Sequence, residues 1–101
     1  MSDLVSLHLG ILAAPKFDLG RLVATPNALS VLTNDDILAA LSRHVRGDWG
    51  SLDDHDKREN DRALQEGSRL LSRYASTDGV IFWIITEWDR SATTVLLPED
   101  Y

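Results

Sequence analysis

The run Val80-Ile-Phe-Trp-Ile-Ile-Thr86 constrains this fold more than any other stretch of the chain. It is built from β-branched and aromatic residues without a strong helix former, and such side chains suit a pleated, half-buried strand. Asp78-Gly79 ahead of it supplies the positive φ angles of a tight two-residue hairpin turn, which predicts a partner strand at about 68–76. Asp89-Arg90-Ser91 behind it lacks a glycine, so a slightly longer loop is expected before a strand at about 92–98. A two-residue turn sets Tyr74 opposite Trp83 and Ser72 opposite Ile85. Trp83 and Ile85 then share one face of the 80–87 strand, Phe82 and Ile84 the other. Two apolar faces predict an interior strand, with helices on one side and, on the other, the first residues of the chain or a second copy in a homodimer. Truncating Trp83 to Ala is expected to cost ~3–5 kcal/mol.

Upstream, Phe17 to Ala24 alternates Phe17, Leu19, Arg21 and Val23 with Asp18, Gly20, Leu22 and Ala24, which reads as a strand at about 17–24. Thr25-Pro26 ends it and opens a helix at about 26–32, because Thr caps and Pro at the first position sacrifices no hydrogen bond. Thr33-Asn34, with Asp35 and Asp36 in the first turn, starts a second helix at about 34–46, whose stripe is Ile37, Leu38, Leu41 and Val45. Gly47 stops it. Ser51-Leu-Asp-Asp54 has the form of a capping box and predicts a third helix at about 52–66, closed by Gly67. Asp53 to Arg62 is an unbroken polar run, so this helix belongs on the surface with only its last turns seated. The expected fold is α+β: a short N-terminal strand, two or three helices, then a three-stranded antiparallel meander. Residues 17–101 form one domain and 1–16 an N-terminal extension.

With 101 residues there is room for a small core, and 16 acidic against 10 basic side chains give a formal charge of −6. That balance argues against direct nucleic-acid binding, which needs Lys and Arg to displace counterions, and permits a basic protein surface as partner. The absence of cysteine excludes disulfides and thiolate metal sites. Leu4 to Ala14 is apolar but is preceded by Asp3 and interrupted by Ser6, His8 and Gly10, and it is short of the ~20 residues a membrane span requires. A cytoplasmic protein without cofactor or metal is expected.

Four constellations carry potential chemistry. His44, Asp48, His55 and Asn60 would converge if the second and third helices packed side by side, giving imidazoles and a carboxylate for a metal or for proton transfer. Caps and loop hydrogen bonds are the plainer reading, since no pair has the spacing of a zinc helix. Trp49, between glycines in Arg46-Gly-Asp-Trp-Gly50, is either a recognition tip or a lid on the core. Arg69, Glu87 and Arg90 at the hairpin end, with His44, resemble the equipment of a small metal-free nuclease, in which a cation stabilises the phosphorane and a carboxylate moves protons. An Arg69–Glu87 ion pair beside an Asp89–Arg90 loop is the plainer alternative. Lastly, residues 47–67 hold seven acids against three bases, a net of −4. Carboxylates spaced along a surface helix imitate phosphates, and Asp53, Asp54, Asp56, Glu59 and Trp49 are the candidate partner surface.

Several blocks in order resemble a family of small bacterial plasmid-related proteins, sometimes labelled restriction-enzyme subunits. They are Leu19-Gly-Arg-Leu-Val-Ala-Thr-Pro-Asn-Ala-Leu29, His44-Val-Arg-Gly-Asp-Trp-Gly50, Glu59-Asn60 with Gly67 and Arg69 to Tyr74, Trp83-Ile-Ile-Thr-Glu87, and Asp89-Arg-Ser-Ala-Thr-Thr-Val-Leu-Leu-Pro98. The resemblance runs from Phe17 to Tyr101, with Asn27 where the family has Gly. It implies residence on bacterial mobile elements and no particular reaction. The expectation is a non-enzymatic accessory protein that binds another macromolecule, such as an acidic anti-restriction or anti-CRISPR protein that mimics DNA. The small nuclease is the alternative.

Overall fold

Thr25 and Thr33 cap successive helices through their hydroxyls, accepting from the backbone N–H of Ala28 and Asp36 at 3.1 Å each. In a computed structural model, which describes residues 15–101, these caps set the order of elements. A strand β1 (Arg21–Ala24) leads into α1 (Pro26–Val31) and α2 (Asn34–Val45). Then come α3 (Asp54–Glu66), β2 (Leu70–Ala75), β3 (Ile81–Thr86), β4 (Ala92–Leu96) and a 3-10 turn at Pro98–Asp100. The sheet order is β1-β4-β3-β2, with β2, β3 and β4 forming the expected antiparallel meander and β1 added parallel to β4. The α+β expectation holds, and β3 is an interior strand. Of the N-terminal extension, residues 1–14 lie outside the described residues; Lys16 donates its N–H to the Val45 carbonyl at 2.8 Å.

The hairpin register differs from expectation by one residue: Tyr74 faces Phe82 and Ser72 faces Ile84. The loop has three residues rather than two. Ser76 donates to the Val80 carbonyl, Gly79 donates back to the Ser76 carbonyl, and Gly79 takes the left-handed φ of 83°. The Ser76 hydroxyl also accepts from the Val80 N–H at 3.0 Å, which fastens the longer loop. One face of the sheet therefore collects Leu70, Ser72, Tyr74, Phe82, Ile84, Thr86, Thr93 and Val95, all buried. Ile37, Leu38, Ala40, Leu41 and Val45 of α2 and Ala28 and Leu32 of the α1 segment join this core.

The opposite face holds Leu71, Ile81, Trp83, Ile85, Thr94 and Leu96. Among the described residues, the end of the chain covers this face at Trp83. Tyr101 packs on Trp83 with ring centroids 5.6 Å apart, and Arg69 lies 5.1 Å over the Tyr101 ring. Trp83 is thus only half-buried, and the largest fully buried side chain is its neighbour Phe82. That partial exposure lowers the cost expected for truncating Trp83.

The outer edge of β2 is sealed. Arg73 donates its N–H to the Trp49 carbonyl at 3.1 Å and accepts from the Ser51 N–H at 2.8 Å. The Asn60 side-chain amide bonds both the N–H and the carbonyl of Leu71, standing in for a fifth strand. Because Ser51 is occupied by Arg73, it does not cap α3. Asp53 does so, accepting from the Asp56 N–H at 2.8 Å, and α3 starts two residues later than the capping box predicts. No helix among the described residues is long and apolar enough to cross a membrane.

Candidate functional site

His44 extends the apolar stripe of α2 one turn beyond Leu41, which delivers its ring to the sheet at 0% exposure. Its Nδ1 lies 2.6 Å from the Ser72 hydroxyl and its Nε2 2.9 Å from the Thr86 hydroxyl. Thr86 is 2.8 Å from Thr93, whose hydroxyl donates to the Leu19 carbonyl at 2.7 Å. That last bond fixes every proton in the chain. Thr93 gives its proton to a carbonyl, so it accepts from Thr86; Thr86 then accepts from Nε2–H, and Ser72 donates to Nδ1. The imidazole is neutral and fully satisfied. Burial first, and the nearby Arg90 guanidinium second, push its pKa down to about 3. Phe17 and Trp49 close the space around the ring, with centroids at 5.2 and 5.7 Å.

Two other members of the expected catalytic set, Arg90 and Arg69, are also engaged elsewhere. Arg90, at φ 60°, donates to the carbonyls of Ser68, Glu87 and Ala63, at 2.6, 3.1 and 3.3 Å, so its guanidinium serves the C-terminal end of α3. It also lies 5.7 Å over the Phe17 ring. Arg69 donates to the Tyr101 hydroxyl at 2.7 Å instead of pairing with Glu87. Arg69, Glu87, Arg90 and His44 therefore do not converge on a common cleft, since His44 is shut in the core and Arg69 lies on the open face of the sheet.

The convergence of His44, Asp48, His55 and Asn60 does not form either. Asn60 is at the β2 edge, His55 is exposed on α3, and Asp48 pairs with Arg43 at 2.8 Å and accepts from the Gly50 N–H at 3.2 Å. Arg43 and the loop amide hold the Asp48 carboxyl below its usual range. The lid reading of Trp49 is the one observed: it is 3% exposed, and its indole N–H donates to Asp61 at 2.9 Å. Trp49 is thereby removed from the expected contact surface. Tyr74 ties the same loop down by donating its hydroxyl to the Asp48 carbonyl, and burial raises its pKa beyond the ordinary range.

Asp53, Asp54, Asp56 and Glu59 are exposed. At about 100° per residue, Asn60 and Ala63 mark the seated side of α3, and Arg58 and Arg62 fall on the crest away from it. The carboxylates are spread around the helix: Asp54 and Asp61 fall on one flank and Glu59 on the other, while Asp56 sits in the first turn on the seated side. Asp61 lies toward Trp49, while Asp56 and Glu59 border a shallow depression floored by Leu52, Asn60 and Leu71. Glu59 is 3.5 Å from Arg62 and 4.0 Å from His55. Among the described residues, Asp53, His55 and Asp56 are the group whose ligand atoms lie close enough to share a cation, and all three are exposed.

Two features of this region escaped the sequence reading. The hydroxyl chain was foreshadowed by Ser72, Thr86 and Thr93 falling on core-facing strand positions, and by His44 on an apolar stripe. The pairing of Asn60 with the β2 backbone had no local signal, because it depends on where α3 docks. Comparison with protein-family models, with curated proteins and with solved structures gave no match to this chain.

Proposed function

We propose that this chain is a non-enzymatic binding protein whose contact surface is the acidic patch formed by Asp56 and Glu59 beside the start of α3. The observation that carries the reading is the patch in which Asp56 and Glu59 rim the depression over Leu52, Asn60 and Leu71. Apolar floor and anionic rim suit a protein segment with one apolar side chain flanked by Lys or Arg. The side chains equipped for catalysis support the same reading by their engagement elsewhere. His44 is neutral within the core, and Arg90 is committed to backbone carbonyls.

The crest position of Arg58 and Arg62 interrupts any continuous row of carboxylates, so a basic protein surface suits α3 better than a groove shaped for DNA. The resemblance of these sequence blocks to plasmid-related proteins favours a setting on a bacterial mobile element, where a nucleic-acid-processing or host-defence protein would offer such a basic surface.

The test is affinity capture from a plasmid-bearing bacterial lysate with the wild type and with the double variant Asp56→Asn, Glu59→Gln. The surface positions leave the fold intact, so a partner held by the wild type should be lost by the variant and should elute early in salt. Equal capture by both proteins would overturn the proposal, as would RNA cleavage abolished by Glu87→Gln.

A further inference from the structure

The two edges of the sheet are treated differently. The β2 edge is sealed by Asn60 and the 49–51 segment, whereas β1 has a partner on one side only among the described residues. Arg21 and Thr25 donate their N–H groups to the carbonyls of Ser91 and Val95, at 2.9 and 3.0 Å, and Val23 pairs in the same ladder. The alternate residues Leu22 and Ala24 therefore turn their N–H and C=O groups outward. An open strand edge is a template for another strand, which proteins ordinarily block.

We propose that β1 pairs antiparallel with β1 of a second copy of this chain, making one continuous sheet across a two-fold axis through Val23. One register satisfies every outward group at once. Leu22 faces Ala24 of the second copy and Ala24 faces Leu22, each pair exchanging two backbone hydrogen bonds, with Val23 against Val23 on the axis. The same register sets Arg21 opposite Thr25. Thr25 donates its hydroxyl to Asp100 at 2.6 Å, and Asn27 donates to the other oxygen of that carboxylate at 2.7 Å. Arg21 and Thr25 share the face that carries the Pro98–Asp100 turn, so the exposed Arg21 guanidinium of each copy meets the Asp100 carboxylate of the other. The contact is charge-complementary at both ends and apolar between them. It leaves the acidic patch beside α3 free, so it stands independently of what that patch binds.

Charge exchange tests it. The wild type should show a dimer mass by sedimentation equilibrium in the micromolar range. Arg21→Glu alone and Asp100→Lys alone each set like charges together at both ends and should weaken the dimer by roughly tenfold. An equimolar mixture of the two variants should regain wild-type affinity, because each new charge then faces its opposite. Circular dichroism establishes that each variant is folded, and a misfolded variant could not rescue the other. Val23→Cys should form an intermolecular disulfide on mild oxidation, since a non-hydrogen-bonded antiparallel pair has Cα atoms about 4.5 Å apart. A wild type that stays monomeric, folded variants that do not recover on mixing, or Val23→Cys cross-linking no better than Ala75→Cys on β2 would each overturn the proposal.

Discussion

Gly50 shows how much one residue can decide. It sits at φ 77°, and a Cβ there would overlap the Arg73 carbonyl oxygen and crowd the Tyr74 ring. The close approach lets the 49–51 segment bond β2 and lets Trp49 turn inward. Gly67 also has a left-handed φ, 74°, at the C-cap of α3, but nothing lies within 4 Å of its would-be Cβ. The two glycines share a conformation and differ in surroundings. Gly67→Ala should therefore cost about 1 kcal/mol of backbone strain, and Gly50→Ala more than ~3 kcal/mol, as read from urea unfolding midpoints. Comparable losses for both would show that the approach to Arg73 is not rigid. The sequence marked Gly50 as a loop residue and no more, because the strand it touches lies more than twenty residues away.

At the scale of elements, the caps and stripes were legible because they are local. Thr25-Pro26, Thr33 and Gly67 each act where a sequence reading places them, and Ile37, Leu38, Leu41 and Val45 are all buried. Register was not legible, because Asp78-Gly79 serves a two- or a three-residue loop equally well, and the Ser76 hydroxyl decides between them. That single residue exchanges the faces: it seats Phe82 at 1% exposure in the core and leaves Trp83 half-buried under Tyr101. Phe82→Ala should cost ~3–5 kcal/mol and Trp83→Ala about 1–2 kcal/mol, by the same unfolding measurement. The reverse ranking would show that Tyr101 seats Trp83 more firmly than the core holds Phe82. The start of α3 was misplaced for a related reason: Ser51 is a good cap in isolation, but the long-range bond to Arg73 claims it and Asp53 takes its role.

At the scale of the molecule, polar groups divide into those spent on the fold and those left for solvent. None of the buried side-chain nitrogens and oxygens among the described residues lacks a partner. His44 belongs to the first class, as the neutral link between α2 and the sheet. Its pH consequence has a definite sign. The folded pKa is pushed from 6.5 down to about 3, so the unfolded chain takes up a proton that the folded chain refuses. Stability is full above the unfolded value and falls by about 1.4 kcal/mol per pH unit between the two values. Asp36, Asp48, Asp89 and Asp100, whose folded pKa values are lowered from 3.8 by hydrogen bonds, add losses of the same sign that begin as pH falls through 3.8. The most direct measurement is the nitrogen-15 NMR titration of the His44 ring in the folded protein. The ring should be neutral, with the proton on Nε2, and should not titrate between pH 8 and the onset of acid unfolding; a ring that protonates near its ordinary 6.5, or carries its proton on Nδ1, would rule out this role for His44.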